Sequence, residues 1–302
     1  WLTDLQHDVH MIGASSGSWR MSCAAQSNPL TAEARLFEAY VEQTYEEIPT
    51  ADEISEVCRG IVAAILGENG VEDILAESHK KLHVITSRAS QDRPVEKIKM
   101  QMASAFLSNF FSRKKLGNHF ERYIFSNTAK VPIRTLKEDL ETISVRMNAA
   151  NIPKAMLASG AIPTLISPVT EIDGAPGQHW DGGVTDYQID LPFDLDDGLL
   201  LYPHFHGKII PGWLDKFVPW RKAQKINRDR LVFMYPSEEF VASLPYKRIV
   251  DRKDFNRFFQ RDAERKTYWR QVSDECARMG EELQNLVEKG IGMDEIGGLS
   301  GV

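Results

Sequence analysis

A chain of 302 residues is long enough to bury a full hydrophobic core. Hydrophobic residues make up 42% of it and charged residues 26%, which is typical of globular proteins. Its formal net charge of -7 argues against nucleic acid as the main partner, because phosphate binding requires a basic surface.

The first half of the chain predicts strands alternating with helices. Residues 7–13 predict a short strand, and residues 14–25, rich in small side chains, predict a turn that passes into a helix. Two or three helices are expected within 31–80. β-Branched and aromatic residues then predict strands at 82–86 and 120–125.

The second half continues the alternation. Pro153 favours the first turn of a helix that runs to Gly160. Short strands are predicted around 180–184, 199–202 and 231–235, the last two as apolar runs buried on both faces. A long polar helix, or a pair of helices, is expected over 254–289. This alternation predicts a layered α/β fold.

One motif with the pattern G-x-S-x-G lies between the first predicted strand and its helix. Ser15 is its central residue, and Gly13 and Gly17 flank it. A tight strand-to-helix turn pushes such a hydroxyl into solvent, and glycines on both sides are expected to remove Cβ atoms that would collide. The backbone N–H of Ser16, at the start of the helix, is a candidate donor to an oxyanion.

A serine nucleophile needs a base, and Asp181 is the candidate. It stands at the end of a predicted strand and is followed by Gly182 and Gly183, which are expected to let the backbone turn sharply. His179 shares a strand face with Asp181, so it either lines the site or is held by local hydrogen bonds.

These segments together resemble the patatin-like phospholipases. The serine motif at 13–17 is similar to that family's serine motif, Asp181–Gly183 to its D-G-[GA] motif, and residues 155–163 to its small-residue helix ending in a proline turn. The resemblance implies a three-layer α/β/α domain around a central, mostly parallel sheet. We expect this domain to cover 1–302, with a helical insertion at about 92–118.

The resemblance also implies a function. It predicts hydrolysis of lipid acyl esters through a dyad of Ser15 and Asp181, with an acyl-enzyme intermediate and no metal or organic cofactor. Members of the family carry a further strand and a glycine-rich oxyanion loop before the serine strand. Since residues 1–5 read like the end of an earlier helix, we expect that strand and loop to be missing from the chain as given.

Two alternatives stay open. The first is a Ser-His-Asp carboxylesterase that uses His204 or His206, which share one face if 202–207 is a strand. The same two histidines could also bind a metal, although no third ligand accompanies them in the sequence. The second alternative is a catalytically weak relative that binds lipid and retains the fold.

The segment 97–115 bears on membranes and location. It carries an apolar stripe flanked by basic residues, typical either of an interfacial helix that contacts an anionic lipid surface or of an amphipathic helix packed on the sheet. Three scattered cysteines without a CxxC pair favour a reducing compartment, so a cytoplasmic location is expected, with transient membrane contact if the helix is interfacial.

Overall fold

The structure, a computed structural model, describes residues 7–76, 78–134, 140–223 and 228–290. These residues form two units, each of which is described by itself. The first unit comprises the described residues within Trp1–Tyr40, Ile48–Asp196 and Ile209–Ile226. The second comprises those within Val41–Glu47, Asp197–Lys208 and Asn227–Val302. The helix end expected at residues 1–5 lies outside the described residues.

A five-stranded sheet forms the centre of the first unit. Its strands are β1 (Val9–Ala14), β2 (Lys80–Ala89), β3 (Phe120–Ser126), β4 (Thr142–Arg146) and β5 (His179–Asp181). The order is β1-β2-β3-β4, and β5 also pairs with β2. The pairs β1–β2 and β3–β4 are parallel, whereas β2–β3 and β2–β5 are antiparallel. Four of the five strands match predicted segments, and β4 was not predicted.

Seven helices of this unit surround the sheet. They are α1 (Ser16–Ala24), α2 (Pro29–Val41), α3 (Ala51–Leu66), α4 (Gly70–Leu75), α5 (Ile98–Phe111), α6 (Ile152–Ser159) and α7 (Gly183–Asp186). Thr50 and Glu53 form a capping box that starts α3, and Pro153 occupies the first turn of α6 as predicted. This unit also contains 3-10 helices at Val95–Lys97, Arg113–Asn118 and Trp213–Phe217.

Two hydrophobic clusters lie on opposite faces of this sheet. Alternation along β3 shows this, because Tyr123 and Phe125 belong to one cluster and Phe120 to the other. The first cluster includes side chains from α1, α3 and α6, and the second includes side chains from α5 and α7. The sheet therefore has helices on both faces, and the predicted α/β class is confirmed.

The second unit contains a small parallel sheet and three helices. Its elements are β6 (Leu200–Pro203), β7 (Leu231–Met234), α8 (Glu238–Ser243), α9 (Asp254–Arg257) and α10 (Asp262–Glu288). The prediction that both strands are buried on both faces is wrong, because their residues are half-buried or exposed. The predicted C-terminal helix pair is present, and Trp269 of α10 donates to the Asp254 carboxylate of α9. No described helix is long and apolar enough to cross a membrane.

Candidate active site

Two strand ends meet along the edge of β2. Ala14, the last residue of β1, pairs with Ile85, and Asp181, the last residue of β5, pairs with Thr86. Residues 86–88 pair with β3 as well, so β5 must occupy the same edge of β2 as β1. Because β1 runs parallel to β2 and β5 antiparallel, the carboxyl ends of β1 and β5 point at each other.

The side chains that follow from this arrangement are in contact. The Ser15 hydroxyl donates to Asp181 Oδ2 at 2.7 Å, and the Gly183 N–H donates to Oδ1 at 2.6 Å. The backbone N–H of Asp181 donates to the Ala161 carbonyl. Asp181 is only 5% exposed, so its carboxylate is largely desolvated. Each of its two oxygens accepts one of these hydrogen bonds. The structure thus brings together the two residues predicted to form the dyad.

The backbone of Ser15 is strained. Its φ of 55° and ψ of -138° are rare for a side chain with a Cβ, a kind of conformation that costs about 1–3 kcal/mol. The surroundings hold it in place: the Ser15 N–H donates to Ser159 Oγ at 3.0 Å, and the Ser18 N–H and hydroxyl donate to the Ser15 carbonyl. Three hydrogen bonds to its backbone therefore hold the strained Ser15 between β1 and α1.

Ser159 is a residue that the sequence did not single out. Its buried hydroxyl accepts from the Ser15 N–H and donates to the Ile85 carbonyl at 2.7 Å. Its own carbonyl accepts from the Gly182 N–H. One side chain and its backbone therefore tie the serine turn, β2 and the aspartate turn together. The only local signal is its place at the end of the small-residue helix.

The two glycines of the serine motif have different roles. A Cβ on Gly13 would lie 2.5 Å from Ser18 N and closer still to Ser18 Cα, so a side chain cannot fit there. A Cβ on Gly17 would have nothing within 4 Å. The expectation that both glycines prevent a collision is therefore correct for Gly13 and wrong for Gly17.

The glycines after Asp181 provide space, not an unusual turn. Gly182 has ordinary helical angles, φ -59° and ψ -26°, so the expected sharp backbone turn is not the reason for it. A Cβ on Gly182 would overlap the carbonyl oxygen of Ile85, and one on Gly183 would lie 2.9 Å from Asp181 Oδ1. Glycine at 182 lets the backbone after Asp181 pack directly against β2. Glycine at 183 leaves space for the Asp181 carboxylate.

Ser16 occupies the predicted position for an oxyanion donor. It is the first residue of α1, whose nine residues begin immediately after the nucleophile candidate. The first N–H groups of a helix have no partner inside it, and the positive end of the helix dipole lies there. The Ser16 N–H is therefore placed to donate a hydrogen bond to an oxyanion that forms beside Ser15.

His179 is a structural residue. Its Nδ1 lies 3.0 Å from Thr86 Oγ1 and its Nε2 3.1 Å from the Ala175 carbonyl, and its ring packs edge-on against Tyr123. The side chain is fully buried. The expectation that it lines the site is wrong, because both ring nitrogens are used by local partners, as the alternative interpretation predicted.

Burial also predicts how His179 affects stability. Burial lowers its pKa to about 4, so the folded protein keeps it neutral while the unfolded chain protonates near pH 6.5. The contribution of His179 to the free energy of unfolding is therefore fully present above about pH 6.5. It falls as the pH drops toward 4, by up to about 1.4 kcal/mol per pH unit.

We expect His179→Gln to reduce the slope of the unfolding free energy against pH, between about pH 6.5 and pH 4, by the equivalent of about one proton. This holds whatever the substitution does to absolute stability. Urea unfolding between about pH 7 and pH 4 measures the slope. His7→Gln removes an exposed histidine and is the control. Equal slopes in the wild type and His179→Gln would contradict the prediction.

His204 and His206 belong to the second unit. The His206 N–H donates to His204 Nδ1, and the two rings pack edge to face. Within the described ranges, no group of three or more His, Cys, Asp or Glu is placed to hold a metal ion.

Comparison with known proteins places the chain in a family. The model of the patatin-like phospholipases matches residues 7–192, more than half of the chain and all of the segment from the serine motif through the aspartate motif. The chain therefore belongs to the patatin-like phospholipase family. Proteins of this family are generally lipid hydrolases. No curated protein gives a significant match to the chain. The expected extension of this domain over 1–302 stays a prediction.

Proposed function

We propose that this protein is a serine hydrolase that cleaves carboxylic ester bonds of lipids, with Ser15 as nucleophile and Asp181 as base. The observation that supports it best is the 2.7 Å hydrogen bond from the Ser15 hydroxyl to Asp181 Oδ2. A hydroxyl in this position can transfer its proton directly to the carboxylate.

The proposed reaction has two acyl-transfer steps. Ser15 Oγ attacks the ester carbonyl carbon while its proton passes to Asp181 Oδ2, and the N–H of Ser16 stabilises the oxyanion. The tetrahedral intermediate collapses, the C–O bond of the ester breaks, and the alcohol leaves with the proton from Asp181. Asp181 then accepts a proton from a water molecule, whose oxygen attacks the carbonyl carbon of the acyl-enzyme. The bond from this carbon to Ser15 Oγ breaks, Ser15 Oγ takes the proton back from Asp181, and the fatty acid is released.

The short contact argues against the triad alternative. In a Ser-His-Asp triad, an imidazole lies between the hydroxyl and the carboxylate. Here the hydroxyl and the carboxylate are in direct contact at 2.7 Å, which leaves no space for a ring between them. The remaining alternative is a relative that binds lipid without hydrolysing it.

Covalent labelling separates an enzyme from a non-catalytic relative. We expect a fluorophosphonate probe to modify the wild type at Ser15, because only an activated serine attacks phosphorus rapidly. Mass spectrometry of the labelled peptide locates the adduct. Ser15→Ala should lose the label, whereas Ser16→Ala, which removes a neighbouring exposed hydroxyl and keeps the backbone N–H, should retain it. A folded wild type that takes no label would favour the non-catalytic relative.

A further inference from the structure

An aromatic surface lies on the first unit, outside the candidate active site. We call it the aromatic face, and it consists of Phe106, Phe110, Phe111, Phe217 and Trp220. Phe110 joins the set together, with its ring 4.8 Å from Trp220, 5.6 Å from Phe111 and 6.1 Å from Phe106. Phe217 packs edge-on against Phe106. Phe111 is 75% exposed, Phe217 64% and Trp220 57%, so this cluster is open to solvent.

Apart from Phe106, the α5 residues of the aromatic face do not lie on the side of the helix that packs on the sheet. Ile98 and Ala105 lie in the hydrophobic cluster, with Met102 and Phe106 packed at its edge. Leu107 and Phe111 leave this cluster and are exposed. The predicted apolar stripe is therefore divided: one side belongs to the core and the other has no cover among the described residues.

A buried carboxylate fixes the two segments of the aromatic face side by side. Asp215 is 4% exposed and accepts from Asn109 Nδ2 at 2.7 Å, with Arg113 Nη1 at 3.4 Å and Arg221 Nε at 3.3 Å. Asn109 lies in α5, while Asp215 and Arg221 flank Phe217 and Trp220 in sequence. Because this network ties the two segments together, less conformational entropy has to be lost when the exposed rings bind a partner.

The same network reaches the candidate active site. Arg113 Nη2 donates to the Thr185 carbonyl at 2.7 Å and lies 3.4 Å from Asp186 Oδ1. Asp186 is also paired with the buried Arg122. Both Thr185 and Asp186 belong to α7, which begins two residues after Asp181. A partner bound at the aromatic face would therefore lie on the scaffold that carries the proposed base.

The two segments that carry the aromatic face, 106–118 and 213–222, have a positive net charge, although the chain as a whole is negative. In 106–118 and 213–222 the one acidic residue is Asp215, which is buried and paired. The exposed charged side chains of these two segments are all lysines: Lys114, Lys115, Lys216 and Lys222. Exposed aromatic rings and exposed lysines on the same two segments complement a lipid surface, which has an apolar interior and anionic headgroups.

We propose that the aromatic face binds an anionic lipid surface, with its rings in the interfacial region and its lysines beside the headgroups. This inference rests on the proposed function, because it explains how an ester hydrolase would reach lipids packed in a bilayer. A second copy of the chain is the competing occupant, but the lysines would then have to face one another.

Vesicle sedimentation tests the proposal without hydrolysis if all proteins carry Ser15→Ala. The probes are vesicles of phosphatidylcholine and phosphatidylserine in about equal parts, and vesicles of phosphatidylcholine alone. We expect the double variant Phe111→Ser and Trp220→Ser to partition at least about tenfold less onto the mixed vesicles. Lys114→Glu with Lys115→Glu should weaken binding to the mixed vesicles by about tenfold or more, and this loss should shrink in high salt.

The matched control is Leu30→Ser with Ile48→Ser, since both residues are 83% exposed and lie in the same unit. It should bind vesicles like the parent. Equal binding by the aromatic variant and this control would overturn the proposal, as would absence of parent binding to the mixed vesicles. A further contrary result would be a dimer in analytical ultracentrifugation that the aromatic variant abolishes and the control does not, while the aromatic variant still binds vesicles like the parent.

Turnover distinguishes a failure of the lipid surface from a failure of the proposed function. With Ser15 intact, the aromatic variant should hydrolyse a monomeric short-chain ester at the wild-type rate and lose activity on vesicles. Suppose that the wild type binds vesicles but neither hydrolyses esters nor reacts with the fluorophosphonate probe. This result would contradict the proposed hydrolase function, whereas the proposed lipid-binding role of the aromatic face would still be supported.

Discussion

Asp181→Asn is expected to lower ester turnover by about a thousandfold or more while the fold stays intact. Asparagine has nearly the same shape as aspartate and can still accept the N–H of Gly183 through its oxygen. Its amide cannot accept the proton that leaves Ser15, so the attacking oxygen loses its base. The position is 5% exposed, which limits the access of water that could replace the carboxylate.

Steady-state kinetics on a monomeric ester measures this loss. Because the two residues act as a unit, Ser15→Ala, Asp181→Asn and the double variant should have similar residual rates. Asp173→Asn is the control, since this exposed carboxylate only accepts a hydrogen bond from Asn148. If Asp181→Asn kept activity within about tenfold of the wild type, another group would have to be the base.

The sequence predicted the parts of the site that depend on local patterns. Ser15 sits in a motif whose strand, turn and helix are continuous in the chain, so its neighbours are known from the sequence alone. Asp181 lies 166 residues away; its place at a predicted strand end before two glycines made it a candidate base, and the resemblance to the family supported the pairing with Ser15. The structural reason for their contact is the register of β1 and β5 along β2, which no local pattern encodes.

The missed features depend on contacts between distant segments. Ser159 has its role because its hydroxyl meets the Ser15 N–H and the Ile85 carbonyl, both far away in sequence. Phe217 ends a short 3-10 helix and Trp220 follows it, in a stretch whose sequence has no apolar periodicity, so their grouping with α5 was not predictable. The predicted reason for glycine was wrong at Gly17, where no collision exists, and at Gly182, where the backbone turn is ordinary. A turn motif alone does not show at which position an added Cβ would collide with another atom.

This distinction predicts opposite effects at the two glycines of the serine motif. Gly13→Ala places a Cβ against the backbone of Ser18, where neither the strand end nor the first turn of α1 can move without the other. We expect a loss of about 3 kcal/mol or more in the free energy of unfolding. Any molecule that remains folded must shift the Ser15 turn, and misplacement by about 1 Å can cost about a hundredfold in turnover.

Gly17→Ala is the matched substitution in the same motif. Its Cβ enters open space in the first turn of α1, so the reduced freedom of the unfolded chain should stabilise the protein by about 0.4–1 kcal/mol. Urea unfolding of both variants measures the two effects, and probe labelling at Ser15 reports whether the turn is still assembled. If Gly13→Ala were as stable as Gly17→Ala, the collision at Ser18 would not be what requires glycine before the serine. The motif would then owe its first glycine to something other than the close approach of strand and helix.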